Sequence, residues 1–310
     1  MVEPAWVGRR IVMRHAVDRD ESGRLRFADV VGDLVALSDE KATVETRAGR
    51  RDVPVAHVAV AKVVEPAAAE ILALEATAAQ GWRARETLES HGWLLRADAG
   101  YTSRANSVLP GAQLTVPLDA ALDEAREWYA ARGLPLQIQL PLHARRLLDA
   151  ELGERGWPAT PDTWVLAGRI DTLRADGAAR DDVHIAAAPD DAWVARFRDG
   201  AMPPAARELL TRHDRAGFAE IRRDGATVAI GRGAVDGGWL GITAVEVDPD
   251  ARRQGLAQAI MRALWRWAAD EHGATRSYVQ VVADNDAALT LYERLGYWQH
   301  HVYRYRTMPA

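Results

Sequence analysis

The chain has 310 residues, a formal net charge of −5 and a pI near 6.0, with 48% hydrophobic and 27% charged residues, the balance of a globular protein. That length suits two or three compact units, and the net charge gives no chain-wide footprint for nucleic acid. Cysteine is absent, which removes disulfides, thiolate nucleophiles and Cys-based zinc sites together.

Residues 1–14 carry Glu3, Arg9, Arg10 and Arg14 and no apolar core of signal-peptide length. No run approaches the roughly 18 apolar residues that span a bilayer. The expectation is a cytoplasmic protein with no membrane partner, no nucleic-acid partner and no metal. Lys41 and Lys62 are the only lysines among many arginines, which reads as genome composition rather than a use for guanidinium groups.

In chain order, residues 7–15, 28–37, 42–46 and 53–64 read as strands, separated by turn-rich 38–41 and 48–52. Short strands at tight spacing predict a small five-stranded β-barrel over residues 1–64. Gly32 inside a strand marks a sharp bend. At Pro66 an Ala-rich run changes the period to helical.

Two similar halves follow, over 66–172 and 182–310, joined by an Asp/Ala/Arg-rich linker at 171–182. In the first, 70–81 and 83–91 read as helical or turn-like, and 92–97 and 104–109 as strands. An amphipathic helix at 119–132 stops at Gly133, the usual C′ residue. A strand at 136–140, a helix at 144–155 closing on Gly156–Trp157, and a strand at 163–170 complete it. The second half opens with a hairpin, 216–223 and 227–235, around the Asp224–Gly225 turn. Strand 239–247, helix 255–272, strand 277–282, helix 286–295 and strand 298–306 follow. Overlaying the halves puts Leu152 in the place of Tyr292, with Gly156–Trp157 on Gly296–Tyr297.

The stretch from Ile242 to Ile260 carries the most chemistry. A β-rich run ends at Asp248–Pro249, and Gly255 opens an apolar-periodic helix. The first N–H groups of a helix have no intrahelical acceptor and, with the macrodipole, make an anion site. Gly255 and Ala257 let a pyrophosphate approach the N–H groups of Gln254, Gly255, Leu256, Ala257 and Gln258, while Arg252 and Arg253 add positive charge.

The pattern Arg252-x-x-Gly255-x-Ala257 after Val245-x-Val247 resembles the acetyl-CoA signature of the GNAT acetyltransferase superfamily. Residues 277–297, with Asn285-x-x-Ala288-x-x-x-Tyr292-x-x-x-Gly296-Tyr297, resemble that superfamily's next motif. The likeness is strong over 218–306, degenerate over 70–170 and absent from the barrel. As a whole the layout is similar to actinobacterial GNAT proteins that carry a small barrel, a degenerate half and an active half. Some members of that group bear the name N-acetylglutamate synthase.

The resemblance implies an α+β GNAT fold, a mixed central sheet flanked by helices, as a tandem of one degenerate and one active half. It implies transfer of an acetyl group from acetyl-CoA to a primary amine in a ternary complex. Pantetheine would run along Val245–Val247, with the Val247 N–H as oxyanion donor. Asn285 and Ala288 would line the cofactor, and Tyr292, a phenol with an ordinary pKa of about 10, would protonate the leaving thiolate. Glu246, between the two valines, is the candidate general base; His213, His300 and His301 are alternatives, and a water chain is another.

For the acceptor, Arg96, Arg104 and Asn106 lie in a polar run between strand-like segments, where arginine could grip a carboxylate or a peptide backbone. The acceptor is open between a small metabolite or amino acid, glutamate among them, and a peptide or protein lysine guided by the barrel. The barrel resembles Tudor-like modules that bind protein tails or nucleic acid, and residues 7–14 with Arg24 and Arg26 would be its basic strip. An acetyl-CoA sensor without catalysis is the rival reading, against which an intact Tyr292 argues.

Overall fold

Alternating buried and exposed side chains set the N-terminal module. In the computed structural model, which describes residues 2–174, 182–200 and 202–309, it consists of β1 (Arg10–Arg19), β2 (Leu25–Leu37), β3 (Lys41–Thr46), β4 (Gly49–Pro54) and β5 (Val58–Val63). They pair antiparallel in the order β4-β3-β2-β1-β5 around buried Ile11, Met13, Leu34, Ala42 and Val44. At Gly32 a Cβ would sit 2.1 Å from the Glu45 carbonyl oxygen, so β2 and β3 close on each other only because the side chain is missing. The expected single strand at 53–64 is two strands: Pro54 has no N–H to continue the ladder, and a 3₁₀ turn at Val55–His57 intervenes. The expected turn at 48–52 is largely β4.

The first half contains α1 (Ala68–Gln80), β6 (Glu86–Ser90), β7 (Trp93–Ala97), β8 (Leu109–Pro110), α2 (Leu118–Ala130), β9 (Gln137–Pro141), α3 (Leu142–Glu154), β10 (Thr163–Arg169) and α4 (Ile170–Leu173). Two expectations are corrected here. The helical or turn-like reading of 83–91 gives way to β6, because His91 and Gly92 both take positive φ (52° and 82°) and close a hairpin with β7. The strand expected at 104–109 is a 3₁₀ turn at Ser103–Ala105 and the two-residue β8, since the Asn106 side chain ties this stretch into a loop.

The second half contains β11 (Val183–Ala186), α5 (Asp191–Arg196), α6 (Pro204–Thr211), β12 (Ala216–Arg223), β13 (Ala226–Asp236), β14 (Trp239–Val247), α7 (Leu256–His272), β15 (Arg276–Val282), α8 (Asp286–Arg294) and β16 (Trp298–Thr307). The hairpin turn has Asp224 at φ 50° and Gly225 at φ 81°. β11, α5 and α6 carry too little periodic signal in four, six and eight residues to be read in advance. Residues 175–181, the middle of the expected linker, lie outside the described residues.

The halves are not side by side. One eight-stranded sheet runs β11-β12-β13-β14-β15-β10-β16-β9. β10 of the first half sits between β15 and β16 of the second, and β16 of the second sits between β10 and β9 of the first. Each half therefore lends the strand after its last long helix to the other. Val165, Leu166 and Ala167 in β10 are buried, and Tyr303 in β16 is fully so. The Trp265 indole N–H donates to the Tyr297 hydroxyl (2.9 Å), which also bonds Ser277 Oγ (2.7 Å), fixing the end of α8 against α7 and β15.

Candidate active site

β14 and β15 run parallel only from Trp239–Ile242 against Arg276–Val279. Beyond Ile242 they have no common register, and β14 bulges there. Against β13, two residues of β14 (Ala244, Val245) face one (Gly231), and Ala244 takes φ 54°. The Asp248 N–H donates to the Val228 carbonyl of β13 at 2.8 Å. Strand N–H groups alternate sides, so that of Val247 looks away from β13, toward the side where β15 has splayed off.

Val245 and Val247 pack toward the core under α7. Glu246 turns to the other face, where its Oε2 accepts the Arg198 backbone N–H at 2.9 Å. The Arg198 guanidinium lies over the Tyr101 ring at 5.6 Å. Burial raises the Tyr101 pKa, while Arg198 lowers it and Glu246 raises it, which places all three around one spot. Thr243, one residue before the bulge, has a buried hydroxyl with no partner among the described residues.

After β14 the chain makes a 3₁₀ turn at Pro249–Ala251, started by Asp248 accepting the Asp250 N–H at 3.0 Å. Arg253 (φ 58°) and Gly255 (φ 77°) are both left-handed, and Gly255 is the N-cap of α7. A Cβ on Gly255 would meet nothing within 4 Å, so its backbone angle and not crowding calls for glycine. The Ala259 N–H makes the first intrahelical bond, to Gly255 O at 3.0 Å. The N–H groups of Leu256, Ala257 and Gln258 stand free of intrahelical acceptors at the helix mouth. Only the backbone of Leu256 is presented, because its side chain is buried. No acidic residue lies in this first turn, Arg252 and Arg253 are exposed, and Gln254 is held by Arg223 at 2.5 Å.

Asn285 caps α8, its Oδ1 accepting the Ala288 N–H at 3.1 Å. Tyr292 is half-buried on that helix beside Tyr297, the rings 5.9 Å apart and edge-on. Burial pushes the Tyr292 hydroxyl up to about 12, so it stays protonated throughout the neutral range.

The three residues expected to hold the acceptor do not act together. Arg96 is buried, its guanidinium bonded to Ser107 O (3.1 Å), Ser107 Oγ (2.8 Å) and Gln139 Oε1 (2.8 Å). Asn106 accepts the N–H groups of Asp98 (2.7 Å) and Gly100 (3.0 Å) and donates to the carbonyls of Asp98 (3.1 Å) and Thr102 (2.9 Å). Asn106 has its amide bonded within its own loop, and Arg96 ties β7 to Ser107 and Gln139, so neither is grouped with Arg104. Arg104 alone reaches the seam, donating to Gln280 Oε1 of β15 at 2.7 Å over the Trp82 ring. Among the alternative bases, His301 is buried against Glu75 (2.6 Å), His300 bonds His301, and His213 lies near Asp236 (3.6 Å). Tyr101, Arg198 and Gln280 around Glu246 and Arg104 carried no signal in the sequence; they converge from a loop, a left-handed residue and a strand.

A splayed parallel pair, a bulged strand and a Gly-opened helix with an arginine mouth define an N-acetyltransferase of the GNAT fold. The family described as "Probable histone acetyltransferase Rv0428c C-terminal" matches residues 68–306, and the chain belongs to it. The probable histone acetyltransferase Rv0428c of Mycobacterium tuberculosis is 31% identical over all of this chain and 97% of its own length. The uncharacterized N-acetyltransferase YobR of Bacillus subtilis is 26% identical over 76% of this chain and 98% of its own. Among solved structures, a GCN5-related N-acetyltransferase from Kribbella flavida has a TM-score of 0.60 at 22% identity, covering 77% of this chain and 96% of that one. A tandem GNAT protein of clavulanic acid biosynthesis gives 0.53 at 15% identity, covering 80% and 91%. The fold is α+β and tandem, and the protein is an acyltransferase. No helix among the described residues is long and apolar enough to cross a membrane.

Proposed function

We propose that the protein moves an acetyl group from acetyl-CoA to a primary amine by direct attack in a ternary complex. The observation that supports this reading is the bulge at Ala244, after which the Val247 N–H turns away from β13 toward the side where β15 splays. Pantetheine would add along that edge as a strand does. Its pyrophosphate would sit on the N–H groups of residues 254–258, with Arg252 and Arg253 at the mouth, and Asn285 and Ala288 would flank the pantetheine arm.

The amine must lose its proton before attack, and Glu246, directly or through water, is the group proposed to take it. The carbonyl oxygen gains negative charge as nitrogen bonds to carbon, and the Val247 N–H is aimed to stabilise it. Collapse breaks the carbon–sulfur bond, and the Tyr292 hydroxyl donates to the departing thiolate. Arg104, beside the Glu246 group and bonded to Gln280, is the residue proposed to hold a carboxylate or backbone carbonyl of the acceptor.

The acceptor is an amino acid or other small amine, or the lysine of a peptide, for which the name of the Mycobacterium tuberculosis relative speaks. Release of CoA measured across amino acids, polyamines and lysine peptides tests the proposal. Turnover with one class is expected; tight acetyl-CoA binding with no release for any amine would overturn it.

A further inference from the structure

Glu75, on α1, is a carboxylate only 1% exposed, and no step of the proposed transfer uses it. Its two oxygens serve different elements. Oε1 meets Nε2 of His301 on β16 at 2.6 Å, and Oε2 accepts from Nε2 of Gln139 on β9 at 2.5 Å.

The bonds continue without a break. Gln139 Oε1 accepts from Nη2 of Arg96 on β7 at 2.8 Å, and the same nitrogen donates to Ser107 Oγ at 2.8 Å. Ser107 Oγ donates to the Ser103 carbonyl at 2.6 Å. His301, Glu75, Gln139, Arg96 and Ser107 are all buried, where water does not compete and each link orients the next. The Gln139 amide fits in one orientation only, its nitrogen on the carboxylate and its oxygen on the guanidinium.

The chain ends at the 3₁₀ turn Ser103–Ala105, which carries Arg104. Asn106 bonds Asp98, Gly100 and Thr102, so this loop is braced within itself and Ser103 sets where Arg104 begins. Arg104 in turn donates to Gln280, the first residue of β15 beyond the parallel pair Ile242–Val279. Both ends rest on one row of the shared sheet, because Val165 of β10 pairs with Gln280 on one side and with His301 on the other. One grip is direct, through Arg104; the other runs through Glu75. The turn is held at two points, at the level where β14 and β15 part.

We propose that Glu75, Gln139 and Ser107 are positioning residues for the acceptor. They fix the Ser103–Ala105 turn so that Arg104 holds the acceptor's carboxylate or carbonyl at a set distance from the transferred acetyl group. This rests on Arg104 as the acceptor-holding residue. A misplacement of about 1 Å can cost roughly 100-fold in rate, so a buried brace of this kind has a kinetic consequence.

CoA-release kinetics of the full chain, with the best-used amine of the amino-acid, polyamine and lysine-peptide panel, test this. Removing Glu75 outright strands Gln139 and His301 in the core and endangers folding, so the main variant is Ser107→Ala. It cuts the Oγ links and keeps the Arg96 Nε bond to the Ser107 carbonyl (3.1 Å). The acceptor KM should rise about five- to tenfold with the acetyl-CoA KM unchanged. Arg104→Ala should raise it at least as much, and adding Ser107→Ala to Arg104→Ala should change it no further. Amide exchange at residues 103–106 should quicken in both Ser107→Ala and Glu75→Gln. An unchanged acceptor KM for Ser107→Ala beside a raised one for Arg104→Ala overturns this proposal alone. Full additivity in the double variant does the same, since a role in packing does not depend on Arg104. Unchanged exchange at 103–106 in both variants overturns it whatever the acceptor. An unchanged KM for Arg104→Ala instead removes the assignment of Arg104, and this proposal with it.

Discussion

The two halves of the shared sheet have the same frame and different contents. Each has a parallel contact where two strands part: Trp239–Ile242 with Arg276–Val279 in the second half, the single bridge Val108–Ile138 in the first. Each ends its last long helix alike, with the Tyr297 N–H on Tyr292 O and the Trp157 N–H on Leu152 O, both at 3.0 Å. The helix that follows the parting tells them apart. α7 starts on left-handed Gly255 with two exposed arginines before it and no acid in its first turn. α2 starts on Pro117, carries Asp119 in its first turn, and is approached by Leu114, Val116 and Leu118 packing into the core. The first half thus keeps the frame with an acid at the helix mouth and aliphatic side chains packed on its core.

The contrast between Tyr292 and Leu152 can be broken directly. Tyr292→Phe should lower kcat by roughly 100- to 1,000-fold, with the acetyl-CoA KM nearly unchanged, since a donor needed at thiolate departure is removed. Steady-state kinetics would show this, and a kcat within a few-fold of the parent would return Tyr292 to packing. Leu152→Ala should do the reverse. Leu152 is fully buried, so its truncation should cost about 2–5 kcal/mol in denaturant unfolding. The surviving folded protein should turn over normally.

Gly255→Ala sharpens the comparison at the helix mouth. An L-residue at φ 77° costs roughly 1–2 kcal/mol, and the loop will relax to avoid it. The expected result is an acetyl-CoA KM about tenfold higher with kcat largely kept. An unchanged KM would detach this loop from the cofactor.

The smallest effect concerns the seam. Burial holds His300 down to about 3 and His213 down to about 4, both below the unfolded value of about 6.5. Between those values and pH 6.5 the unfolded chain binds more protons, so the stability these neutral rings contribute is full above about pH 6.5 and declines as pH falls. Tm should drop by several degrees between pH 7 and pH 4.5, and the His300→Gln protein should show a flatter slope. Identical slopes would mean that other groups govern the acid limb.

Much of the second half was legible because its signals are local. The 239–247 strand, the helix stopped by Gly273, the Asp224–Gly225 turn and the Gly296 stop depend on residues within a turn of one another. The first half misled where a turn used uncommon residues, as at His91–Gly92, or where a side chain held the backbone, as Asn106 does for 98–107. Arg96 and Asn106 part from Arg104 for a related reason. Arg96 and Asn106 look like binding groups until their partners, Gln139 and the Asp98 loop, are known.

By itself the sequence determined the strands and helices from residue 216 onward, the repeat that pairs Leu152 with Tyr292, and the Gly255 helix mouth, because hydrophobic period and glycine placement act over a few residues. Only the tertiary structure decided that β10 and β16 change places between the halves, that β14 bulges at Ala244, and that Arg104 meets Gln280 across 176 positions. Those outcomes rest on pairing between segments far apart in the chain, where the gain comes from burying both faces of a strand, and no local pattern encodes which distant edge will do so.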